Sequence, residues 1–234
     1  MALALTAMAL PVSAQTMSEN IKACHDGLPD ARISSCTALI GLEQVSAAAK
    51  ANIYIFRGTA YLAKGRFDDA IVDFTMASTL KPDYATAFAD LGNAYYDKGL
   101  YDQAIADTSR AITLSPDYAE AYVNRASAYS QKGLFEQAIA DYNHAIMLKP
   151  DFAEAYNGRG AAFFRSGLTS RAITDFNQAI ALKPGFAIAF VNRGVLYAQF
   201  HNSAGAVADF QTALKIDPTL EIARQALKQA GAAP

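Results

Sequence analysis

Apolar and small residues recur along most of the chain at the three- and four-residue spacing of an amphipathic helix, and the pattern itself repeats. The stretch DYATAFADLGNAYYDKGLYDQAIADTSRAITLSP, which ends at Pro116, returns without insertion or deletion in the stretch that ends at Pro150. Prolines mark a period of 34 residues, at Pro82, Pro116, Pro150, Pro184 and Pro218. Two helical segments joined at a turn fill each period. The pattern therefore predicts an all-α chain built from a repeated helical hairpin.

Five hairpins follow from this spacing, over residues 51–84, 85–118, 119–152, 153–186 and 187–220. Large rings recur at one register of each helix and alanines at others, so the helices should approach closely at the alanines and fill the remaining gaps with rings. Thr108 replaces the ring of the second hairpin, which predicts a thinner core there. Residues 221–234 are expected to form a cap helix and a tail that solvate the last hairpin.

The N-terminal segment, residues 1–14, reads as a secretory signal peptide with cleavage after Ala14. It has an apolar run, Pro11 and a small-x-small pattern, but no basic residue before the run; the alternative is a frayed apolar tail. The first interpretation predicts a periplasmic or secreted protein with no membrane insertion after cleavage. Residues 15–50 are predicted to form a degenerate first hairpin, with Asp30 capping its second helix.

Two cysteines fall in that degenerate hairpin. In the 34-residue register Cys24 takes the place of Gly92 and Cys36 that of Ala104, where small residues mark the closest approach of the two helices. We expect a disulfide between them, which export to an oxidising compartment favours. A pair of buried free thiols is the alternative.

The net charge of −2, with both signs interspersed, gives no electrostatic footprint for nucleic acid and no polybasic stretch for a lipid surface. The three histidines lie at unrelated registers without metal-ligand spacing, and no phosphate loop or nucleophile motif is present. We therefore expect no metal, no cofactor and no enzymatic activity. A protein or peptide is the expected partner.

The repeats resemble tetratricopeptide repeats. The resemblance rests on Phe88-x-x-Leu91-Gly92-x-x-Tyr95, followed by Ala104, Ala111 and Pro116, and it recurs across the five hairpins. It implies a right-handed superhelical solenoid of antiparallel helix pairs whose first helices line a concave wall. Family members commonly bind peptides or partner proteins on that wall. The lysine-and-asparagine clamp that some of them use for a C-terminal carboxylate is not reproduced.

Mapping that wall onto this sequence gives a set of polar and aromatic candidates for partner binding. They are Asn52, Phe56, Thr59, Asp90, Asn93, Tyr96, Asp97, Glu120, Asn124, Gln131, Glu154, Asn157, Phe164, Arg165, Asn192 and Gln199. Tyr96 and Phe164 are the candidate anchors, because rings on a polar surface are frequent sites of strong contact.

Four hairpins carry an arginine where the family usually has a bulky residue, each with an aspartate in its second helix. The arginines are Arg57, Arg125, Arg159 and Arg193, and the aspartates are Asp73, Asp141, Asp175 and Asp209. An arginine on a packing face needs a carboxylate, so we predict structural ion pairs. The sequence leaves open whether each pair forms within a hairpin or between neighbours. In the second hairpin Leu91 replaces the arginine opposite Asp107.

Two functions remain. The first is a non-catalytic scaffold that grips a partner segment in its concave groove. The alternative is a structural module that self-associates through its terminal hairpins; a chaperone-like holdase would need a larger apolar groove.

Overall fold

Thirteen helices and no strand occur in residues 16–232, the part of the chain that the computed structural model describes. The predicted signal peptide, Gln15 and the last two residues lie outside this range. The helices are α1 (Met17–Asp26), α2 (Pro29–Ile40), α3 (Ala47–Ala63), α4 (Phe67–Leu80), α5 (Ala85–Asp97), α6 (Tyr101–Leu114), α7 (Ala119–Gln131), α8 (Phe135–Leu148), α9 (Ala153–Arg165), α10 (Thr169–Leu182), α11 (Ala187–Gln199), α12 (Ser203–Ile216) and α13 (Glu221–Gln229).

The helices belong to two compact units, and the boundary falls inside α5, between Asp90 and Leu91. In unit 1, α1 packs on α2, α2 on α3 and α3 on α4. In unit 2, each helix from α6 to α12 packs on the next along the chain. The expectation of an all-α, tetratricopeptide-type helical repeat is confirmed.

The turn inside each of the five repeat hairpins depends on a residue with a left-handed backbone. Four of these turns use glycine, with φ between 68° and 79° at Gly65, Gly99, Gly133 and Gly167. The last hairpin has His201 there, with φ of 60°, the one non-glycine residue with positive φ among the described residues. A side chain at such a φ is strained, because its Cβ crowds the backbone.

Close contact between the two helices of a hairpin comes from glycine in one helix opposite a ring in the other. A Cβ at Gly160 would lie 2.8 Å from the Phe176 ring, and one at Gly194 would lie 2.9 Å from the Phe210 ring. In the second hairpin a Cβ at Gly92 would meet the Thr108 methyl group at 2.5 Å. The smaller Thr108 is fully buried and its hydroxyl donates to the Ala104 carbonyl at 2.6 Å.

The arginine–aspartate pairs form within each hairpin. Arg125 Nε and Nη2 donate to the two oxygens of Asp141 at 2.7 and 2.8 Å, and the same bidentate geometry recurs 16 residues apart in the other three pairs, Arg57–Asp73, Arg159–Asp175 and Arg193–Asp209. The bonded aspartate raises the pKa of each arginine. The fixed fork of a guanidinium suits this two-point contact.

Each of these arginines also reaches backward to the preceding hairpin. The remaining nitrogen, Nη1, donates to a polar side chain earlier in the chain. The acceptors are Thr37, Ser109, Asn143 and Asn177, at 2.9, 3.0, 2.6 and 2.6 Å. One side chain therefore joins the two helices of its own hairpin and ties that hairpin to its predecessor.

The degenerate first hairpin is closed by a disulfide. Cys24 of α1 and Cys36 of α2 are bonded, their Cα atoms lie 4.8 Å apart, and both residues are buried. A capping box starts α1, since Thr16 accepts from the Glu19 amide and the Glu19 carboxylate accepts from the Thr16 amide.

The prediction that Asp30 caps α2 is wrong. Pro29 is the first residue of α2 and Leu28 occupies the cap position without a side-chain bond. The fixed φ of proline suits the first helical position, where no backbone donor is needed, so the helix starts earlier than expected. Asp30 lies in the first turn and pairs with Lys64.

The last hairpin is covered by α13. Ala223 and Leu227 of this helix are fully buried in a cluster with Phe210 and Ala213. Glu221, Arg224 and Lys228 on its other face are exposed. The helix therefore covers apolar surface that the last repeat would otherwise leave open.

Candidate functional site

The first helices of the hairpins in unit 2 form one continuous surface. Helix α9 contacts both α7 and α11, whereas second helices of consecutive hairpins do not approach one another in the same way within the described residues. In a stack of hairpins, the helices that lie closer together are on the concave side. The first helices are therefore on the concave side of unit 2. We call the surface of α7, α9, α11 and the part of α5 from Leu91 the inner wall of unit 2.

Hydrogen bonds between neighbouring first helices connect several of the predicted wall residues. Gln131 Nε2 donates to the Tyr96 hydroxyl at 3.1 Å, and Asn192 Nδ2 donates to Asn157 Oδ1 at 2.9 Å. Arg165 Nη1 donates to a backbone carbonyl of α7 at 3.0 Å, and its guanidinium lies 4.8 Å from the centre of the Phe135 ring. These contacts fix the side chains and leave them less free than those of a solvated surface.

Other carboxamides of the inner wall have no protein partner. Asn93, Asn124 and Gln199 make no hydrogen bond within residues 16–232; Asn93 and Asn124 are half-buried, and Gln199 is exposed. A half-buried amide without a partner is costly unless water or a ligand satisfies it. These side chains can donate to and accept from the backbone of a bound segment.

Two rings frame this polar surface. Tyr96 is half-buried and packs on Tyr101 with ring centres 5.7 Å apart. Phe164 is half-buried against the cluster that includes Phe163 and Leu196. Each ring keeps an accessible side and is supported from behind, which is the arrangement of a binding anchor.

The acidic candidates differ in how free they are. Glu120 pairs with Lys149 at 3.3 Å and Glu154 with Lys183 at 2.6 Å. Burial raises the pKa of Glu154, but its hydrogen bond to Lys183 and its own backbone bond outweigh this, and the net pKa is lowered. Asp97 is exposed and makes no ion pair within residues 16–232. Of these three acidic candidates, Asp97 is therefore the one most open to a cationic group of a partner.

In unit 1 the four predicted residues lie in different surroundings. Asn52 is exposed and Phe56 half-buried, and both line a cavity. Thr59 is half-buried, and its hydroxyl donates to the backbone carbonyl of Phe56 at 2.9 Å. Burial raises the pKa of Asp90 to about 7. The pKa of Tyr84 is also raised, mainly by the burial of Tyr84 itself and to a smaller extent by the charge of Asp90.

The cavity in unit 1 is a feature that the sequence did not reveal. It has a volume of about 530 Å³ and lies between α1, α2 and α3, with Met17, Ile21, Cys24 and Leu39 in its walls. The signal available in the sequence was the spacing of Met17, Ile21 and Cys24, which share one face of α1. Cys24 packs against α2 on this face, while Met17 and Ile21 line the cavity and stay about half exposed.

The described part of the chain contains neither a cluster of metal-binding side chains nor a helix that could span a membrane. No group of three His, Cys, Asp or Glu side chains between residues 16 and 232 is arranged to hold a metal ion. Over the same residues, the helices are all too short or too polar to traverse a bilayer.

Comparison with known families identifies the repeats. A family model described as TPR repeat matches residues 58–99, 92–133 and 126–167, and one described as tetratricopeptide repeat matches residues 158–221. The matched residues make up more than half of the chain, so this chain belongs to the tetratricopeptide repeat family. Its members are generally non-catalytic scaffolds for contacts between proteins.

Several solved structures resemble the chain. MamA is 30% identical, over 69% of this chain and 94% of MamA, with a TM-score of 0.57. A thermophilic TPR protein of Thermus thermophilus is 23% identical, over 77% and 98%, with a TM-score of 0.70. YrrB is 23% identical, over 84% and 99%, with a TM-score of 0.56. The last two likenesses establish the fold alone, and no curated protein sequence matches.

Proposed function

We propose that the inner wall of unit 2 binds a segment of a partner protein, in extended or helical form, and that the protein acts as a non-catalytic scaffold. The observation that carries the proposal is the row of half-buried carboxamides without partners in residues 16–232, Asn93 and Asn124, between the supported rings of Tyr96 and Phe164. Carboxamides satisfy a peptide backbone, and rings hold apolar side chains. YrrB is described as a TPR protein with an unusual peptide-binding site, which is compatible with this use of the fold.

Removing both rings tests this proposal. Peptides of about twelve residues, long enough to reach several pockets of a groove, would be selected from a displayed library against the protein, labelled and titrated by fluorescence polarisation. We expect the double substitution Tyr96→Ala and Phe164→Ala to weaken binding at least about tenfold, because anchor residues carry much of the affinity of such interfaces. Met147→Ala is the control, since this exposed side chain lies on α8, outside the inner wall. Unchanged affinity in a double variant with an unchanged circular dichroism spectrum would refute the proposal.

Self-association through the last hairpin is the second candidate. Val195, Phe200 and Ile222 are exposed there, and a cavity of about 390 Å³ lies between α11, α12 and α13. Exposed apolar residues beside a cavity are typical of a docking surface. Light scattering at several concentrations separates the two candidates: a dimer that Phe200→Ser and Ile222→Ser convert to a monomer would favour self-association.

We also propose that the protein is exported and works in a periplasmic or extracellular compartment. The apolar segment with its small-x-small pattern supports export, and the Cys24–Cys36 bond suits an oxidising environment.

A further inference from the structure

The cavity of unit 1 is a site of a different kind from the inner wall of unit 2. Its walls are apolar, from Met17 and Ile21 of α1, Leu39 of α2, and Ile53 and Phe56 of α3. Helix α1 buries only Cys24, while Met17 and Ile21 remain about half exposed at the mouth. The volume of about 530 Å³ lies within the range of cavities that enclose ligands. Within the described residues, the apolar face of this helix is therefore packed at Cys24 and only partly covered at Met17 and Ile21.

The Cys24–Cys36 bond holds this wall in place. Cys24 lines the cavity, and its bond joins α1 to α2 at the floor, where Leu39 packs with both cysteines. Within the described residues α1 packs mainly on α2 and to a smaller extent on α3. Breaking the bond would leave a ten-residue helix with little buried surface, which is too short to persist without support.

The chemistry of the lining limits what can occupy the cavity. No Asp, Glu, Lys or Arg of the described residues belongs to it, and its one ionisable side chain is His25, whose ring lies edge-on to Phe56 at 4.9 Å. A fatty acid or a phosphorylated ligand would bring a negative charge that no lysine or arginine of the lining is there to meet. Gln44 and Asn52 at the edge are exposed and have no hydrogen-bond partner within the described residues. Such amides pair with a peptide backbone.

We propose that this cavity, kept in shape by the Cys24–Cys36 disulfide, receives one large neutral apolar side chain, aromatic or branched, from a partner polypeptide whose backbone pairs with Gln44 and Asn52. The proposal rests on the proposed function, which it extends to a second contact point in unit 1. The two can fail separately, because the variants and the probes below do not involve the inner wall of unit 2.

Single-residue probes test the proposal directly. N-acetyl-phenylalanine methylamide and N-acetyl-leucine methylamide would be titrated into the disulfide-bonded protein with labelled Met and Ile methyl groups. We expect saturable shifts of the Met17, Ile21 and Ile53 signals, with a dissociation constant on the order of 1 mM for so small a ligand. Met147 and Ile188, exposed in unit 2, serve as internal references that should not move. N-acetyl-serine methylamide should produce no shift.

Matched variants separate the cavity from its surroundings. Ala49→Phe fills the cavity and should weaken binding at least about tenfold, whereas Ala48→Phe on an exposed, non-lining position of the same helix should leave it unchanged. If Ala49→Phe fails to fold, Ile21→Ser is the second variant, because it removes an apolar side chain from the cavity wall at an exposed position. Its control is Leu28→Ser, at an exposed position that does not line the cavity. Reduction of the disulfide should weaken binding at least about fivefold, because α1 loses its support.

Several results would overturn the proposal. Absence of saturable shifts with either apolar probe would do so, as would equal binding by Ala49→Phe and Ala48→Phe. Tighter binding of decanoate than of the amides would point to a lipid ligand. Dependence of the cavity signals on protein concentration would point to a second copy of the chain. Binding that survives reduction unchanged would remove the role of the disulfide.

Discussion

A missing arginine leaves one carboxylate in an unfavourable place. Asp107 occupies the register of the four paired aspartates, but Leu91 stands where the others have their arginine. Burial without this partner raises the pKa of Asp107 to about 6. Asp73, which keeps its arginine, still has a raised pKa because burial outweighs the hydrogen bond to Arg57. Desolvation is therefore the largest cause of the raised pKa of both Asp73 and Asp107.

The pH dependence of stability follows from this shift. Because the pKa of Asp107 is higher in the folded state than its ordinary value near 4, the folded form takes up the proton more readily. The contribution to stability is fully present below about pH 4 and is lost as the pH rises through about 6. At about pH 7.5 we expect Asp107→Asn to raise the free energy of unfolding by about 1 kcal/mol, after allowance for partial solvent exposure.

Urea unfolding of the variant and the parent at about pH 4 and about pH 7.5 measures this effect. The difference between them should shrink toward zero at the lower pH. Asp151→Asn, at an exposed position, is the control and should change neither value. An Asp107→Asn variant that is less stable than the parent at the higher pH would show that the carboxylate has a favourable partner.

The arginine–aspartate ion pairs could be predicted from the sequence only in part. Recurrence at a fixed register identified the arginines and the aspartates, because a charge on a packing face requires compensation. The choice between a partner in the same hairpin and one in the next depends on backbone geometry that a period alone does not contain. The backward bonds of Arg125, Arg159 and Arg193 had a signal in the sequence, a polar residue 16 positions before each of these arginines, whereas the acceptor of Arg57 lies 20 positions before it. Short polar side chains are common on any solvated helix surface, however, so this recurrence alone could not identify a hydrogen bond.

At the scale of the helical hairpin, the last turn stands apart from the other four. His201 adopts the left-handed backbone that glycine provides elsewhere. Part of the irregularity is compensated by the next residue, since Asn202 caps α12 by accepting from the Gly205 amide at 3.1 Å. This cap stabilises the start of α12 but does not relieve the left-handed backbone conformation of His201.

Replacing His201 by glycine should therefore stabilise the last hairpin. We expect His201→Gly to raise the free energy of unfolding by about 1 kcal/mol, because the cost of a left-handed backbone is removed. Gly167→Ala, at the equivalent turn of the preceding hairpin, should lower it by a similar amount. Chemical denaturation followed by circular dichroism measures both, and a destabilised His201→Gly variant would show that the imidazole makes a compensating contact.

The degenerate hairpin shows where patterns stop being informative. Its existence and the facing of Cys24 and Cys36 followed from the 34-residue register, because the start of α1 and the two cysteines lie at the positions of a normal repeat. The start of α2 did not, since Pro29 and Asp30 both favour a helix start and the sequence does not rank them. The cavity beside α1 exists because neighbouring helices cover only part of the apolar face of α1. The extent of this cover is set by the packing of the helices and is not encoded in the pattern of residues.

At the scale of the whole molecule, the all-α repeat of helical hairpins could be predicted from the sequence and the binding surface could not. Packing positions recur at the 34-residue period because every hairpin must bury the same face. Surface positions are free to differ, and so the wall residues could be placed only by analogy with the family. The hydrogen bonds of Tyr96 with Gln131 and of Asn157 with Asn192 join residues 35 apart, an interval that the hairpin period approaches but does not specify.

Export is a property of the whole chain and can be measured on it. Expressed in a bacterial host with a secretion system, the protein should appear in the envelope fraction. Its mass should be that of a chain whose first residue is Gln15. Ala14→Leu, which places a bulky residue at the expected cleavage site, should remain unprocessed. An unprocessed parent protein found only in the cytoplasm would contradict the proposal.

The double reach of the arginines has a consequence for changes in chain length. Removal of residues 119–152 would bring Ser109 to the place where Asn143 accepts from Arg159, and Ser109 already accepts from Arg125. Genetic recombination between homologous repeats adds or removes whole periods, so it regenerates a compatible neighbour at each junction. A deletion of any other length would separate an arginine from its backward acceptor. The bonding scheme thus permits the array to grow or shrink in steps of one period.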